Sequence, residues 1–204
     1  PDEGQGPSNL EFRFLRKADD TGNPAPPHAV MMVTAIGIYG DRPDDAAGTG
    51  RQLLGSYGVA RDITERKRAE EMITFQALHD QLTGLPNRRL FKDHLELALA
   101  QGARRGQRVG VMFIDLDRFK LINDTYGHHE GDALLKSFAQ RVRGCVRAGD
   151  TVARQGGDEF TVLLPDLNQP EDAAVIARKI FGELQRPFHV GGREFVATAS
   201  IGIA

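Results

Sequence analysis

The 204-residue chain has 40% hydrophobic and 26% charged residues, a composition typical of a folded globular protein rather than a disordered one. Its 26 basic and 28 acidic residues leave a net charge of -2, which gives no support to a polybasic nucleic-acid-binding protein or an acidic tail. No apolar run reaches the roughly 18 residues that cross a bilayer, and the single cysteine, Cys145, excludes an internal disulfide and a multi-cysteine metal site.

Three strands, separated by loops, are predicted in the first third of the chain from their alternating or β-branched character, at residues 10–16, 29–39 and 52–61. Asp62 and Thr64 follow the third strand. Their side-chain oxygens can accept hydrogen bonds from the first amides of a charged helix, which is predicted to begin near Glu65.

This charged helix has four apolar or uncharged side chains at a spacing of three to four, at Ala69, Met72, Ile73 and Gln76. The spacing is that of a short two-stranded coiled coil. Strands that end in Asp-Ile-Thr followed by ERKRAEE resemble the C-terminal end of a PAS sensory domain, of which only the last three strands would be present. An ordinary capped helix after any sheet would explain the same residues.

From Leu85 onward helices and strands alternate. Helices are predicted at residues 86–104, 119–126, 133–146 and 171–185. Strands are predicted at residues 108–114, 151–155, 160–164, 188–190 and 195–204. The strand at 108–114 is almost continuously apolar, so we expect it in the centre of a sheet covered on both sides. Helices mixed with mostly antiparallel strands predict an α+β fold.

Two aspartates at the end of the central strand are candidate cation ligands. Asp115 and Asp117 are two residues apart and share a face if the strand continues through them. Mg²⁺ binds a few carboxylate oxygens together with substrate phosphates. Asp117 could instead cap the next helix, and Asp115 could be a solvated loop residue.

A second acidic feature is the turn at Gly156, Gly157, Asp158 and Glu159. The two glycines leave backbone amides open to a phosphate, and the acids at the hairpin tip could share a metal ion with that phosphate. An ordinary hairpin turn would explain the same four residues.

Four segments in order identify a family. The chain reads DQLTGLPNRR at 80–89, FIDLDRFKLINDTYGHHEGD at 113–132, RAGDTVARQGGDEF at 147–160 and ATASIGIA at 197–204. From about Leu78 to the end, it strongly resembles the GGDEF family of diguanylate cyclases. The resemblance implies an antiparallel-rich central sheet flanked by helices, akin to nucleotidyl cyclases and polymerase palm domains. It also implies a reaction that joins two GTP into cyclic di-GMP with release of two pyrophosphates.

The resemblance assigns catalytic roles to Asp158, Glu159 and Lys120. Asp158 would help deprotonate the ribose 3′-hydroxyl, and Lys120 would place positive charge against the triphosphate. Without the family, Lys120 would be read as a surface lysine. Two Mg²⁺ (or Mn²⁺) ions per half-site would be held by the Asp115 carboxylate, the Leu116 carbonyl and the acids at 158 and 159.

Substrate binding is assigned to Asn123, His128, Asp132, Gly156 and Gly157. A carboxylate at Asp132 can accept from guanine N1–H and N2–H₂ together, a donor pair that adenine lacks. Asp132 could also cap the following helix.

Arg147 and Asp150 match the family's RxxD site, at which cyclic di-GMP binds as an inhibitor. Arg147 would pair with guanine or phosphate and Asp150 with a guanine edge, while Arg178 would add a secondary basic contact. A cationic helix end followed by a turn acid is the alternative explanation of the first two residues, but their spacing to the GGDEF segment favours the product site.

These inferences divide the chain into the C-terminal part of a PAS-like sensor at 1–63, a helical signalling linker at 64–78 and a GGDEF domain at 79–204. The family pattern continues with a further strand and helix, so the GGDEF domain is expected to be truncated and activity is expected of a longer parent. Catalysis implies an antiparallel homodimer in which two GTP half-sites meet. We expect a cytoplasmic location, GTP as substrate, cyclic di-GMP as product and inhibitor, and no contact of this segment with nucleic acid or membrane.

Two alternatives stay open. The first is a GTP-binding GGDEF domain without synthesis that regulates a cyclic di-GMP phosphodiesterase. The second is a non-enzymatic PAS sensor or dimerisation module that acts on partners.

Overall fold

The computed structural model describes residues 8–15, 28–41 and 51–204, and the chain forms two compact units, Pro1–Thr74 and Phe75–Ala204. The loops predicted between the first three strands lie outside the described residues. The first unit contains an antiparallel sheet in the order β1-β2-β3, with β1 at Ser8–Leu15, β2 at His28–Asp41 and β3 at Arg51–Asp62.

Helix α1 (Thr64–Leu78) begins directly after β3. Asp62 Oδ1 accepts hydrogen bonds from the amide and the hydroxyl of Thr64, at 2.9 and 2.5 Å. The Thr64 hydroxyl oxygen also accepts from the amide of Val30 on β2, at 2.8 Å. The predicted cap therefore ties the start of α1 to the sheet.

The second unit mixes helices and antiparallel strands, which confirms the predicted α+β fold. Its helices are α2 (Arg88–Arg105), α3 (Phe119–Tyr126), α4 (His128–Cys145) and α5 (Glu171–Leu184). Its strands are β4 (Arg108–Leu116), β5 (Thr151–Gly156), β6 (Glu159–Leu167), β7 (Phe188–Val190), β8 (Arg193–Phe195) and β9 (Ala199–Ile203). The main sheet has the order β5-β6-β4-β9, and β7 and β8 form a separate hairpin.

Strand β4 lies between β6 and β9, and its side chains alternate in burial. Met112, Ile114 and Leu116 are buried in the larger core with α4 and α5, whereas Phe113 and Asp115 lie on the opposite face and are exposed. The face of β4 near its start packs with α2 in a smaller apolar cluster. This alternation places Asp115 at an accessible end of an otherwise well-packed strand.

Helix α4 differs from the prediction because it begins at His128 and not at residue 133. Gly127, with a φ of 93°, ends α3 and directly precedes α4, so no loop separates the two helices. Asp132 consequently lies within α4, and the prediction that it caps the helix is wrong.

The strand predicted at 195–204 is two strands. Phe195 pairs with Phe188 in the β7–β8 hairpin, whereas Ala199 pairs with Leu116 in the main sheet. Residues 196–198 connect the two sheets, and this change of partner breaks a continuous apolar run into β8 and β9. None of the described helices is long and apolar enough to span a bilayer.

Candidate active site

The predicted metal ligands come together where β4 and β6 meet the turn at residues 156–159, here called the signature turn. Asp115 pairs with Glu159 across the two strands, and the Leu116 amide donates a 3.3 Å hydrogen bond to the Asp158 carbonyl. Asp115 and Glu159 are exposed and Asp158 is half-buried. Three carboxylates and one strand end therefore share a small region of the surface.

The signature turn depends on its two glycines. Gly156 has a φ of 146° and Gly157 a φ of 53°, which side-chain-bearing residues rarely adopt. A Cβ at either position would meet no atom within 4 Å, so backbone conformation rather than crowding requires glycine here. The open space leaves their backbone accessible to a ligand.

The electrostatics of the carboxylates favour a cation. Partial burial, followed by the negative charges of Asp158, Glu159 and Asp117, raises the pKa of Asp115. Among the described residues no three His, Cys, Asp or Glu side chains form a complete metal-binding group. An incomplete set of oxygen donors fits Mg²⁺, which binds through one or two carboxylates and takes its other ligands from phosphate and water.

Asp117 is engaged by β9. Its Oδ2 accepts from the Thr198 hydroxyl at 2.6 Å and its Oδ1 from the Ser200 hydroxyl at 2.8 Å. These two hydrogen bonds hold the pKa of Asp117 below its usual range. Helix α3 instead follows Arg118, which has a φ of 59° and makes no side-chain cap, so the prediction that Asp117 caps this helix is wrong.

A cavity of about 720 Å³ lies beside the carboxylates and the start of α3. Its lining residues are Asp115, Asp117, Arg118, Leu121, Ile122, Val196 and Thr198. Lys120 is exposed in the first turn of α3. A second cavity of about 840 Å³ lies on the α2 side of the sheet and also borders Asp115 and Glu159. The site is therefore open on both sides of the carboxylates.

The predicted guanine-binding residues occupy the corner between α3 and α4. Asn123 Oδ1 is buried and has no hydrogen-bond partner in the described part of the chain. A Cβ on Gly131 would lie 1.9 Å from this oxygen, so glycine at 131 makes room for the Asn123 amide. His128 and Asp132 are exposed on α4. The Asn123 amide oxygen is therefore packed against Gly131, and His128 and Asp132 are the accessible members of the predicted set.

Arg147 and Asp150 bind each other. The Asp150 carboxylate, 1% exposed, accepts from the Arg147 amide at 3.1 Å and from its Nε at 3.0 Å. Arg147 also donates to the Pro165 carbonyl at 2.6 Å, yet its side chain is 59% exposed. Arg178 lies exposed on α5. Asp150 therefore orients Arg147 from below the surface, while the Arg147 side chain stays accessible.

Sequence reasoning missed the role of Arg154. Its Nη1 donates to both carboxylate oxygens of Asp80, each at 3.0 Å. Its Nε and Nη2 donate to the Gly157 carbonyl at 2.9 and 2.7 Å. Arg154 thereby joins the segment after α1 to the signature turn. The sequence did place Arg154 two residues before Gly156, close enough to indicate a contact with the signature turn.

The family described as "Diguanylate cyclase, GGDEF domain" matches residues 77–204. The chain belongs to the GGDEF family. The match covers the carboxylates of β4, the α3–α4 corner and the signature turn, so all three lie inside the GGDEF domain. The family predicted from the sequence is confirmed.

Curated relatives of this GGDEF chain differ in their named activities. It is 50% identical over 141 residues to the bifunctional diguanylate cyclase/cyclic di-GMP phosphodiesterase MucR of Pseudomonas aeruginosa, and the match covers 69% of this chain and 20% of MucR. It is 39% identical over 154 residues to the cyclic di-GMP phosphodiesterase NbdA of the same species, with 76% of this chain and 20% of NbdA covered. The chain thus spans about a fifth of the length of these relatives.

Solved GGDEF domains share the fold. The coiled coil and GGDEF domain of DgcB from Caulobacter crescentus, in complex with c-di-GMP, superposes with a TM-score of 0.62 at 29% identity. The superposition covers 68% of this chain and 75% of the DgcB chain. GGDEF membership and these relatives place the chain in cyclic di-GMP metabolism.

Proposed function

We propose that this chain is the catalytic part of a diguanylate cyclase that condenses two GTP into cyclic di-GMP and two pyrophosphates. The observation that carries the proposal is the placement of Asp115 opposite Glu159 and beside the signature-turn residue Asp158, where partial burial and then the neighbouring negative charges raise the pKa of Asp115. Like charges held this close at an open site favour binding of a cation with its phosphate ligand.

Two divalent ions, Mg²⁺ or Mn²⁺, would be held by the carboxylates of Asp115, Asp158 and Glu159 and the carbonyl of Leu116. Bound there, they would offset the charge that develops on the attacking and leaving oxygens. The protein's own part is to hold these oxygen donors at the end of a packed strand, so that little rearrangement is needed when substrate arrives.

The remaining site residues orient the nucleotide. Lys120, at the start of α3, binds the triphosphate, and Asp158 accepts the proton of the attacking 3′-hydroxyl. Asn123 and Asp132 recognise guanine, with a further contact from His128. The common location of these three residues at the corner between α3 and α4 supports this assignment, and His128 and Asp132 are exposed there.

Two protomers must meet for this reaction, because the 3′-hydroxyl of one GTP attacks the α-phosphate of the other. Helix α1 offers a dimer contact, since Met72 and Ile73 are 58% and 65% exposed. A PAS-like first unit would control turnover by changing how two copies of α1 pair. Replacement of both residues by Asp should lower dimerisation and activity together, and unchanged activity at low protein concentration would contradict this model.

Product inhibition would act through Arg147, Arg178 and the Asp150 carboxylate that orients Arg147. The exposed Arg147 side chain supports this role. Arg147→Met should weaken cyclic di-GMP binding, measured by calorimetry, and should prolong linear product formation without lowering the initial rate.

The named activities of MucR and NbdA favour a second function, a GTP-binding domain that regulates a phosphodiesterase. The full-length protein incubated with GTP and Mg²⁺ separates the two. Formation of cyclic di-GMP and pyrophosphate supports synthesis, whereas GTP binding without product supports regulation. Product formation by Asp158→Ala would contradict the catalytic assignment.

A further inference from the structure

Three side chains join the residue that follows β4 to the start of β9, and they are here called the β4–β9 clamp: Asp117, Thr198 and Ser200. The two oxygens of the Asp117 carboxylate each accept one hydroxyl, from Thr198 at 2.6 Å and from Ser200 at 2.8 Å. The Asp117 amide also donates to the Thr198 carbonyl at 3.0 Å. Both the main chain and the side chain of Asp117 are therefore fixed by the segment that leads into β9.

The clamp lies at the point where the chain leaves β4 for α3. Asp115 and Leu116 precede it on β4, where they pair with Ser200 and Ala199. Arg118 follows it with a φ of 59°, and α3 starts at the next residue. The direction of α3 relative to β4 is thus set within two residues of Asp117.

We propose that Thr198 and Ser200 are positioning residues, which act through Asp117 to hold the Asp115 carboxylate and the α3 residue Lys120 in register with each other. The inference rests on the proposed function, for which these two groups bind the metal ions and the triphosphate. In this proposal Asp117 itself acts as a strut that ties the end of β4 to the start of β9, since each of its oxygens accepts a short hydrogen bond from that segment.

The clamp requires a carboxylate at position 117. A carboxylate accepts two hydroxyls at once, whereas an amide of the same shape offers only one acceptor oxygen. Residues that hydrogen-bond to metal ligands typically account for about 10- to 100-fold in affinity or activity. The clamp acts on Asp115 indirectly, through the backbone and the Asp115–Ser200 strand pair, so an effect at the lower end of that range, about 10-fold, is expected.

Matched substitutions at Thr198 separate hydrogen bonding from packing. Thr198→Val keeps the side-chain shape and removes the hydroxyl, while Thr198→Ser keeps the hydroxyl and removes a methyl group. In the full-length protein, Thr198→Val should lower kcat/KM for GTP by about 10-fold and weaken Mg²⁺-dependent GTP binding, measured by calorimetry, by a similar factor. Thr198→Ser should retain most of both, and Asp117→Asn should resemble Thr198→Val.

A control and a substrate-free measurement complete the test. Thr34→Val removes a hydroxyl that donates to Asn9 in the β1–β2 sheet and should leave turnover and binding unchanged. Hydrogen exchange of the amides at residues 117–121 reports the positioning directly, and it should become faster in Thr198→Val but not in Thr198→Ser.

The outcomes distinguish the two proposals. If the wild-type protein forms cyclic di-GMP and Thr198→Val matches it in kinetics and exchange, the clamp has no positioning role. A Ser variant as impaired as the Val variant would overturn the inference in favour of packing. If the wild type forms no product but exchange at 117–121 rises only in Thr198→Val, the clamp stands and the proposed synthesis fails.

Discussion

Arg154 holds Asp80 through a single nitrogen that lies 3.0 Å from both carboxylate oxygens, and both side chains are largely buried, at 11% and 22% exposed. The same guanidinium donates twice to the Gly157 carbonyl. One side chain therefore connects the segment that follows α1 with the signature turn.

Arg154→Lys should reduce activity even though the positive charge is kept. A lysine presents one ammonium group and cannot contact Asp80 and Gly157 with the planar geometry of a guanidinium. Removal of one partner from a buried ion pair typically costs about 3–5 kcal/mol, so Arg154→Met should lower the unfolding temperature further than Arg154→Lys. Thermal unfolding and the rate of cyclic di-GMP formation check the two effects, and a Lys variant with wild-type activity would show that charge alone suffices.

Asp80 should make stability depend on pH in the acid range. Burial of the carboxyl opposes ionisation, but hydrogen bonds from Thr83 and Arg154 outweigh it and hold the pKa of Asp80 below its usual range. Because its pKa is lower in the folded chain, Asp80 binds a proton more readily in the unfolded chain. Ionised Asp80 therefore stabilises the folded state at neutral pH, and this contribution is lost as the pH falls below about 4.

The measurement is the difference in unfolding temperature between the wild type and Asp80→Asn from pH 7 down to pH 3. The difference should shrink toward the acid end, because protonation removes the charge that the asparagine variant already lacks. A gap that is constant across this range would show that Asp80 contributes by shape alone.

Gly131→Ala should impair guanine recognition. The new Cβ would lie 1.9 Å from Asn123 Oδ1 and 3.2 Å from the Phe119 ring, so Asn123 must move. We expect weaker GTP binding and a loss of about 1–3 kcal/mol in stability. Gly144→Ala is the matched control on the same helix, since its Cβ would meet nothing within 4 Å, and it should stabilise α4 by about 0.5–1 kcal/mol. Equal GTP affinity in the two variants would argue against a role for Asn123.

Arg141 should stabilise the connection between α5 and β7. It donates to the carbonyls of Glu183, Arg186 and Pro187 and stacks over the Phe188 ring at 3.6 Å. Arg141→Met should lower the free energy of unfolding by about 2–3 kcal/mol in a denaturant titration. Lys136→Met, an exposed substitution on α4, should change it little, and equal losses would point to a general charge effect.

Local features of the fold were predictable from the sequence because their causes lie within a few residues. The Asp62 and Thr64 cap and the glycine pair of the signature turn are examples. Contacts across strands were not, since Asp117 and Thr198 are 81 residues apart and meet only because β9 pairs with β4. From the sequence, the nearest plausible partner of Asp117 was the start of the next helix, whereas in the structure its partners are the distant Thr198 and Ser200.

The candidate site shows the same limit. The family pattern brought Asp115 and the signature turn together, because several spaced motifs in one order are far more informative than each alone. It could not indicate that Asp150 is buried against Arg147, which depends on how the chain turns after α4. Nor could the sequence show that the Asn123 side chain occupies the space in which a side chain at position 131 would lie.

The strand order β5-β6-β4-β9 has a consequence for biosynthesis. Asp115, Glu159 and Ser200 become neighbours only when β4 has paired on both sides, so a nascent chain cannot bring these three residues together before β9 has left the ribosome. Nucleotide bound to the finished sheet, and not to the unfolded chain, would then add stability by mass action. Under the proposed function, GTP should therefore raise the unfolding temperature of this domain even where no turnover occurs.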